Sequence, residues 1–187
     1  MLLKLDLHTH CYEATESSSI ETVEKIINAV KASGLDGIAI TEHADKNYAY
    51  KVKEIVEDYF NNEILIIPGQ EIYTDLVYIQ VVELYLPGDV TFKYIPHPYH
   101  IYDFFRYFNG HSYMIHGIEI DNYQHDWEMK KLNKDRIYQL AEEYNLMLLS
   151  NSDAHSLNNI GRYYNEIELE ELYRLVEKKD KYLNIVK

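Results

Sequence analysis

The most restrictive feature of this sequence is a repeated alternation of short apolar runs with longer amphipathic runs. The apolar runs have the length of buried strands and occupy residues 2–7, 37–41, 64–68, 77–84, 92–95, 118–121 and 146–151. Helical periodicity occurs at residues 20–30, 48–60, 133–144 and 169–178. Strands that alternate with helices predict a mostly parallel α/β sheet, and about seven strands make a barrel possible.

The first predicted helix carries sequence signals at both of its ends. Ser18 and Glu21 have the spacing of a capping box, which satisfies free backbone N–H groups at a helix start. Gly34 stands where helices commonly end in a left-handed glycine. These signals predict a helix that begins after Ser18 and ends just before Gly34.

Composition excludes several classes of protein. No repeat or Pro/Gly-rich linker interrupts the 187 residues, which predicts one domain over residues 1–187. The formal net charge of −13 argues against a nucleic-acid partner, because such surfaces need Lys and Arg to neutralise phosphates. No run approaches the roughly 20 apolar residues that span a bilayer, and no secretory signal is evident at the N-terminus. The single cysteine, Cys11, fits a reducing compartment and therefore predicts a cytoplasmic location.

Histidines and acidic residues cluster at the ends of the predicted strands. The side chains concerned are His8, His10, Glu42, His43, Glu71, His97, Asp153 and His155. Residues two apart in an extended chain project to the same side, so the His8–His10 pair and the Asp153–His155 pair can each converge on one ion. The carboxyl ends of parallel strands meet on one face of an α/β fold, which predicts a metal site there.

The donor types indicate which metals the predicted site would hold. Imidazole and carboxylate groups without a thiolate suit zinc, manganese or iron. The candidates exceed one tetrahedral shell, so we expect more than one ion, with Glu71 able to bridge two of them. Glu16 could fold back over the site, or it could be an ordinary acid near the start of a helix. His111, His116 and His125 match no motif position, and we interpret them as solvated or core-edge histidines.

Six segments in a fixed order resemble the PHP family, named for polymerase and histidinol phosphatase. They are DLHTH at 6–10, TEH at 41–43, PGQE at 68–71, HPYH at 97–100, GIEIDN at 117–122 and SDAH at 152–155. The resemblance implies a distorted seven-stranded β/α barrel of the TIM type. It also implies a phosphoesterase that uses two or three divalent metal ions.

Carried over position by position, the resemblance implies metal-ligand roles for eight residues: His8, His10, Glu16, His43, Glu71, His97, Asp153 and His155. It implies structural support from Glu119 and orientation of a ligand by Glu42. Two features depart from the family. Residues 72–96 contain no histidine where the larger phosphatases carry one, and His100 replaces an arginine that is common after HPY.

The leading hypothesis is a metal-dependent phosphoesterase that hydrolyses a small phosphomonoester or phosphodiester. Ions at a site of two or three metals would lower the pKa of a bound water towards about 7 and so supply hydroxide. Arg162 is the best candidate for a phosphate contact, with His100 as a weaker one, although Arg162 could equally be a surface arginine. The alternatives are a nuclease that acts on nucleic-acid ends and a non-catalytic metal-binding PHP module.

Overall fold

A computed structural model describes residues 1–75 and 78–185, with side chains up to residue 179. Its strands are β1 (Leu3–Thr9), β2 (Gly37–Ile40), β3 (Leu65–Tyr73), β4 (Gln80–Leu86), β5 (Val90–Ile95), β6 (Gly117–Asn122), β7 (Met147–Asn151) and β8 (Asn165–Ile167). Its helices are α1 (Cys11–Thr15), α2 (Ile20–Ala32), α3 (Lys46–Tyr59), α4 (Ile101–His111), α5 (Asp126–Lys130), α6 (Asp135–Tyr144) and α7 (Leu169–Ile185).

The strands form one curved sheet in the order β7-β6-β5-β4-β3-β2-β1-β8. β1, β2 and β3 are parallel, as are β5, β6 and β7. β4 runs antiparallel between β3 and β5, and β8 runs antiparallel along β1. The predicted α/β barrel of the TIM type is therefore confirmed, with eight strands rather than seven.

Side chains and short bridges bring the two ends of the sheet together. The Leu7 N–H donates to Asn151 Oδ1 at 3.0 Å, and the Ser152 N–H donates to Asp6 Oδ1 at 3.1 Å. Beyond the strand ends, Thr9 and Ala154 form a parallel bridge. The barrel is thus nearly closed between β1 and β7, the two strands that carry HxH and lead into SDAH.

The core has an interior part and two outer layers. Leu5, Leu7, Val82, Leu84, Phe92 and Leu149 belong to the interior, together with Leu172 and Val176 of α7. One outer layer packs α2 and α3 against β2 and β3, and the other packs α4 and α6 against the outside of β5 and β6. Apolar filling of the interior makes the barrel a rigid frame for the loops after its parallel strands.

Local details refine the predicted boundaries. Ser19, not Ser18, caps α2, and its side chain accepts from the Thr22 N–H. Gly34 has a φ of 70°, as expected for the residue that ends a helix in the left-handed region. The strand predicted at 77–84 starts at Gln80 and ends at Leu86, and position 77 lies outside the described residues. In the described ranges, no helix is both long and apolar enough to cross a membrane.

His116 supplies a prediction about acid stability. The residue is 5% exposed, and its Nδ1 accepts a hydrogen bond from the Lys93 N–H at 2.8 Å. Burial, with the charges of Lys179 and Lys93, lowers its pKa from 6.5 to about 4. Since the unfolded chain takes up this proton near pH 6.5, His116 contributes stability above pH 6.5 that is lost as the pH falls towards 4. The loss is about 3 kcal/mol.

The variant His116→Asn keeps an acceptor near Nδ1 and removes the titration. Between pH 7.5 and 4 we expect its free energy of unfolding to fall by about 3 kcal/mol less than that of the wild type, measured by chemical denaturation. His111→Asn is the control, because His111 is only partly buried on α4. Equal losses in the wild type and in His116→Asn would contradict the assignment.

Candidate metal centre

Seven of the eight predicted metal ligands meet at the carboxyl ends of the parallel strands, and two further residues join them. The complete set is His8, His10, Glu13, His43, Glu71, His97, His125, Asp153 and His155. These residues form four overlapping groups, and within each group the donor atoms lie within 4.8 Å of one another. The barrel therefore collects the donors because β1, β2, β3, β5, β6 and β7 all end at this face.

The centre of the site is buried at the end of β1. His8 Nε2 lies 3.2 Å from His10 Nε2 and 3.6 Å from Asp153 Oδ1. Glu71 spans the site, with Oε1 3.1 Å from His97 Nε2 and Oε2 3.1 Å from His43 Nδ1. β3 continues to Tyr73, so Glu71 lies within the strand and not beyond its end as the sequence suggested. Its two oxygens face different donors, which is the arrangement a bridging carboxylate needs.

His125 corrects the interpretation of the histidines that match no motif. Together with His97 and Asp153 it forms one of the four groups, and its Nε2 lies 3.8 Å from Asp153 Oδ2. It comes three residues after β6, at the same face as the other donors. His125 thus adds an imidazole to the candidate site, although residues 72–96 contain no histidine.

Glu13 takes the place that the resemblance implied for Glu16. Its Oε1 lies 3.6 Å from His43 Nε2 and its Oε2 lies 3.5 Å from His155 Nε2. His10 completes this half-exposed group. Glu16 belongs to none of the four groups, because α1 ends at Thr15 and Glu16 turns into the left-handed region at φ 52° with an exposed side chain.

The assignment of Glu13, rather than Glu16, to the candidate site gives a testable prediction. Glu13→Gln should lower the number of tightly bound divalent ions by one per chain, because it removes the only carboxylate of its group. Glu16→Gln is the matched control and should leave the stoichiometry unchanged. Elemental analysis after gel filtration measures both. A loss of metal from Glu16→Gln, with none from Glu13→Gln, would reverse the assignment.

Glu119 organises the inner donors without facing the site itself. Its Oε1 lies 3.2 Å from His8 Nδ1 and accepts from Asn151 Nδ2 at 2.7 Å. Its Oε2 accepts from the His97 N–H and from Asn122 Nδ2, both at 2.8 Å. With the His8 Nδ1 proton directed at Glu119, Nε2 is left as the donor atom that faces the site. The supporting role that the resemblance implied for Glu119 is what these contacts describe.

Asp6 and Glu42 are two further buried acids beside the site. Asp6 accepts from Ser152 Oγ and from the Gly161 N–H, and burial raises its pKa to about 6. Glu42 lies 3.9 Å from His10 Nδ1, and Oε1 accepts from the Tyr12 N–H at the start of α1. Burial raises the pKa of Glu42 to about 7. Glu42 therefore fixes the helix that carries Glu13 rather than orienting a histidine through a hydrogen bond.

The electrostatics of the site favour positive charge at its centre. Burial alone would raise the pKa of Asp153 and Glu71, but the charge of His8 and contacts with neighbouring histidines outweigh it, so both values lie well below the ordinary range. Burial opposes protonation of His8, yet Asp153, Glu71 and Glu119 raise its pKa. Burial lowers the pKa of His10 and of His125, which keeps these imidazoles in the neutral form that binds metals.

The residues present fit divalent metal ions. Three buried polar atoms lack a hydrogen-bond partner within the described residues: His10 Nδ1, His43 Nδ1 and Asp153 Oδ1. His43 Nδ1 lies 3.1 Å from Glu71 Oε2, and Asp153 Oδ1 lies 3.1 Å from His10 Nε2, but neither pair has the alignment of a hydrogen bond. Donor atoms that share one ion at about 2.1 Å are about 3.0–3.4 Å apart. These separations are therefore those expected around shared ions.

The two predicted phosphate contacts lie away from the donors. His100 is exposed at the start of α4 and stacks on Tyr78, with ring centroids 4.3 Å apart. The Arg162 guanidinium is also exposed and lies 5.9 Å from the centroid of the Tyr123 ring. Neither side chain makes a direct contact with a donor of the site in the described part of the chain.

Comparison with known proteins agrees with this geometry. The PHP domain family matches residues 6–187. The chain belongs to the PHP family. No curated protein matches it. Its PHP barrel is similar in fold to several solved structures, all at low sequence identity.

Three of these structures illustrate the likeness. A two-domain protein from Bacteroides vulgatus, named as containing a predicted PHP-like metal-dependent phosphoesterase, aligns with a TM-score of 0.63 at 15% identity, covering 96% of this chain and 63% of that one. A Bifidobacterium adolescentis protein, whose name suggests a metal-dependent phosphoesterase, aligns with a TM-score of 0.60 at 11% identity. The alignment covers 94% of this chain and 96% of that one. A Chromobacterium violaceum amidohydrolase with bound sulfate and no metal aligns with a TM-score of 0.61 at 13% identity. The alignment covers 94% of this chain and 96% of that one. At these identities the likeness concerns the fold alone.

Proposed function

We propose that this PHP protein is a metal-dependent phosphoesterase that hydrolyses a small phosphomonoester. The observation that carries the proposal is the convergence, within the described part of the chain, of six histidines and three carboxylates on one face of the barrel, with donor atoms among them that have no hydrogen-bond partner there. The native ions would be zinc, manganese or iron, two or three per chain, since imidazole and carboxylate donors suit all three metals.

Bound divalent ions would lower the pKa of water and neutralise phosphate charge during in-line displacement. The chain's own residues would hold them: Glu71 and Asp153 would supply negative charge from the buried centre, and Glu13 would do so from the exposed edge. Hydrolysis forms a P–O bond from water, breaks the ester P–O bond, and passes a proton to the departing alcohol. A charge of −13 would otherwise repel an anionic ester, so neutralisation at the site is essential.

We also propose that Arg162 and, more weakly, His100 contact the phosphate of the substrate, in addition to the metal ions. The exposed Arg162 guanidinium lies beside Tyr123, the residue that follows β6 on the same face as His125. We propose that the guanidinium turns from there towards the phosphate of a bound substrate. We further propose a cytoplasmic location, because the lone Cys11 is buried and unpaired.

A substrate screen with metal-loaded protein tests the proposal. The probes are p-nitrophenyl phosphate, glycerol phosphate, bis(p-nitrophenyl) phosphate and a single-stranded oligonucleotide, each with added Mn²⁺ or Zn²⁺. We expect hydrolysis of a monoester and no release of nucleotides. Cleavage of the oligonucleotide alone would indicate a nuclease, and metal binding without any hydrolysis would indicate a non-catalytic module.

A further inference from the structure

We propose that Asp6 is a positioning residue for phosphate binding and that it acts through Arg162. Its buried carboxylate holds the turn that presents Arg162 beside the metal site. The inference rests on the proposed function, in which Arg162 contacts the phosphate of the substrate. It adds the residue that determines where this contact is made.

The Asp6 carboxylate receives four hydrogen bonds, and the residue is 0% exposed. Oδ1 accepts from the Ser152 N–H at 3.1 Å and from the His8 N–H at 3.4 Å. Oδ2 accepts from Ser152 Oγ and, at 2.9 Å, from the Gly161 N–H. All four donors are neutral, so none of them offsets the cost of burying a carboxylate with a positive charge. This cost favours a role for Asp6 beyond stability.

The turn at Gly161 is closely packed against the end of α2. Gly161 has a φ of 75°, and a Cβ at this position would lie 2.8 Å from the Cβ of Ser33. The Ser33 hydroxyl donates to the Ile160 carbonyl oxygen at 2.7 Å. The hydrogen bond from the Gly161 N–H to Asp6 ties the same turn to β1. The turn is therefore fixed to a helix on one side and to the barrel on the other.

Arg162 lies between two anchored residues. The Gly161 N–H is held by Asp6. On the other side of Arg162, the Tyr163 hydroxyl donates to Asp126 Oδ1 at 2.8 Å. Asp126 is the first residue of α5. Because both neighbours are held, the backbone of Arg162 has a defined position and its exposed side chain is the part that can turn.

The Arg162 side chain lies one short segment away from a donor of the candidate site. Its guanidinium carbon is 5.9 Å from the centroid of the Tyr123 ring. The next residue, Gln124, donates its N–H to the Ser152 carbonyl oxygen at 3.2 Å. Ser152 directly precedes Asp153, which belongs to two of the four donor groups. Asp6 therefore contacts both the residue before a metal donor and the residue before Arg162.

Asp6→Asn should release the Arg162 turn selectively. An NH₂ group in place of Oδ1 would face two backbone N–H groups, neither of which can accept a hydrogen bond. In place of Oδ2 the NH₂ group can donate to the Ser152 hydroxyl, which leaves only the Gly161 N–H without its acceptor. The amide should therefore adopt the second orientation, and the turn at Gly161 should lose its tie to β1.

Calorimetric titration of Mn²⁺-saturated protein with inorganic phosphate tests the inference in a double-mutant cycle. Asp6→Asn and Arg162→Met should each weaken phosphate binding by about tenfold, because each removes the contact between the guanidinium and the phosphate. The double variant should bind no more weakly than either single variant, because both changes remove the same contact. Metal content is measured for every variant, so that phosphate affinities are compared at equal occupancy.

Asp121→Asn is the matched control, because Asp121 also accepts a hydrogen bond from a serine of β7, Ser150, at 3.2 Å. It makes no contact with the Gly161 turn in the described part of the chain. Asp121→Asn should lower the free energy of unfolding and leave the phosphate affinity unchanged.

Gly161→Ala tests the same turn if Asp6→Asn does not fold. It keeps the buried carboxylate and strains the turn, because φ at this position is 75°. It should give the same tenfold loss of phosphate affinity, about the loss expected from a missing charge-assisted contact. The loss should again not add to that of Arg162→Met.

The outcomes separate this inference from the proposed function. Non-additive losses in a protein that hydrolyses no phosphoester would support the positioning role, and only the phosphoesterase proposal would fail. Additive losses would show that Asp6 acts through general stability and would overturn the inference. Unchanged phosphate binding in either single variant, or a wild type that binds no phosphate, would overturn it as well.

Discussion

Asp153→Asn is expected to lower phosphomonoester hydrolysis by at least about 100-fold and to release bound metal. The carboxylate takes part in two of the four donor groups, and Oδ1 lies 3.1 Å from His10 Nε2. Removing its charge leaves both of these groups without a carboxylate. Metal content by elemental analysis and kcat with added Mn²⁺ measure the effect.

Asparagine is the appropriate replacement because of the backbone. Asp153 has a φ of 53°, in the left-handed region that Asn tolerates and alanine disfavours. Asp89→Asn is the matched control: Asp89 has a φ of 59° and is exposed in the turn between β4 and β5. Full activity of Asp153→Asn, with its metal retained, would remove Asp153 from the site.

Glu119→Gln is expected to weaken metal binding by about 10–100-fold and to lower the free energy of unfolding by about 3 kcal/mol. Glutamine replaces one accepting oxygen with an NH₂ group. That group would face either the His8 Nδ1 proton and Asn151 or the His97 N–H and Asn122. Competition with a chelator measures the affinity, and thermal or chemical denaturation of the metal-free protein measures the stability.

A carboxylate elsewhere on the barrel serves as the control for Glu119. Glu83 also accepts hydrogen bonds from several donors: Gln70, Tyr85 and Lys93. It lies on β4, a strand that contributes no donor to the four groups found among the described residues. Glu83→Gln should reduce stability and leave metal affinity unchanged. Equal loss of affinity in both variants would mean that Glu119 acts through general stability and not through His8 and His97.

Local patterns predicted most of the fold because they agree with the final packing. Gly34 ends α2 where the sequence indicated, and the strand that begins at Gly37 pairs with β3. A side chain at Gly37 would come within 2.3 Å of the Leu65 carbonyl oxygen, so only glycine allows this pairing. The eighth strand, Asn165–Ile167, was missed because three residues carry too little periodicity, and its position depends on pairing with β1.

The site was predictable wherever donors directly follow a strand, and less so where a loop returns to it. His8, His10 and Asp153 belong to short motifs with fixed spacing at strand ends. Glu13 reaches the site through the five-residue helix α1, and His125 through the loop after β6, so neither has a fixed offset from its motif. The one signal for His125 was its place shortly after a predicted parallel strand.

A titration of metal-free protein with Mn²⁺, following bound metal and hydrolysis of p-nitrophenyl phosphate together, tests the central claim most directly. The account predicts that the rate rises with occupancy and reaches its maximum at two or three ions per chain, with no hydrolysis in the presence of excess chelator. Saturation with metal without hydrolysis, or a rate that is the same with and without the chelator, would contradict it.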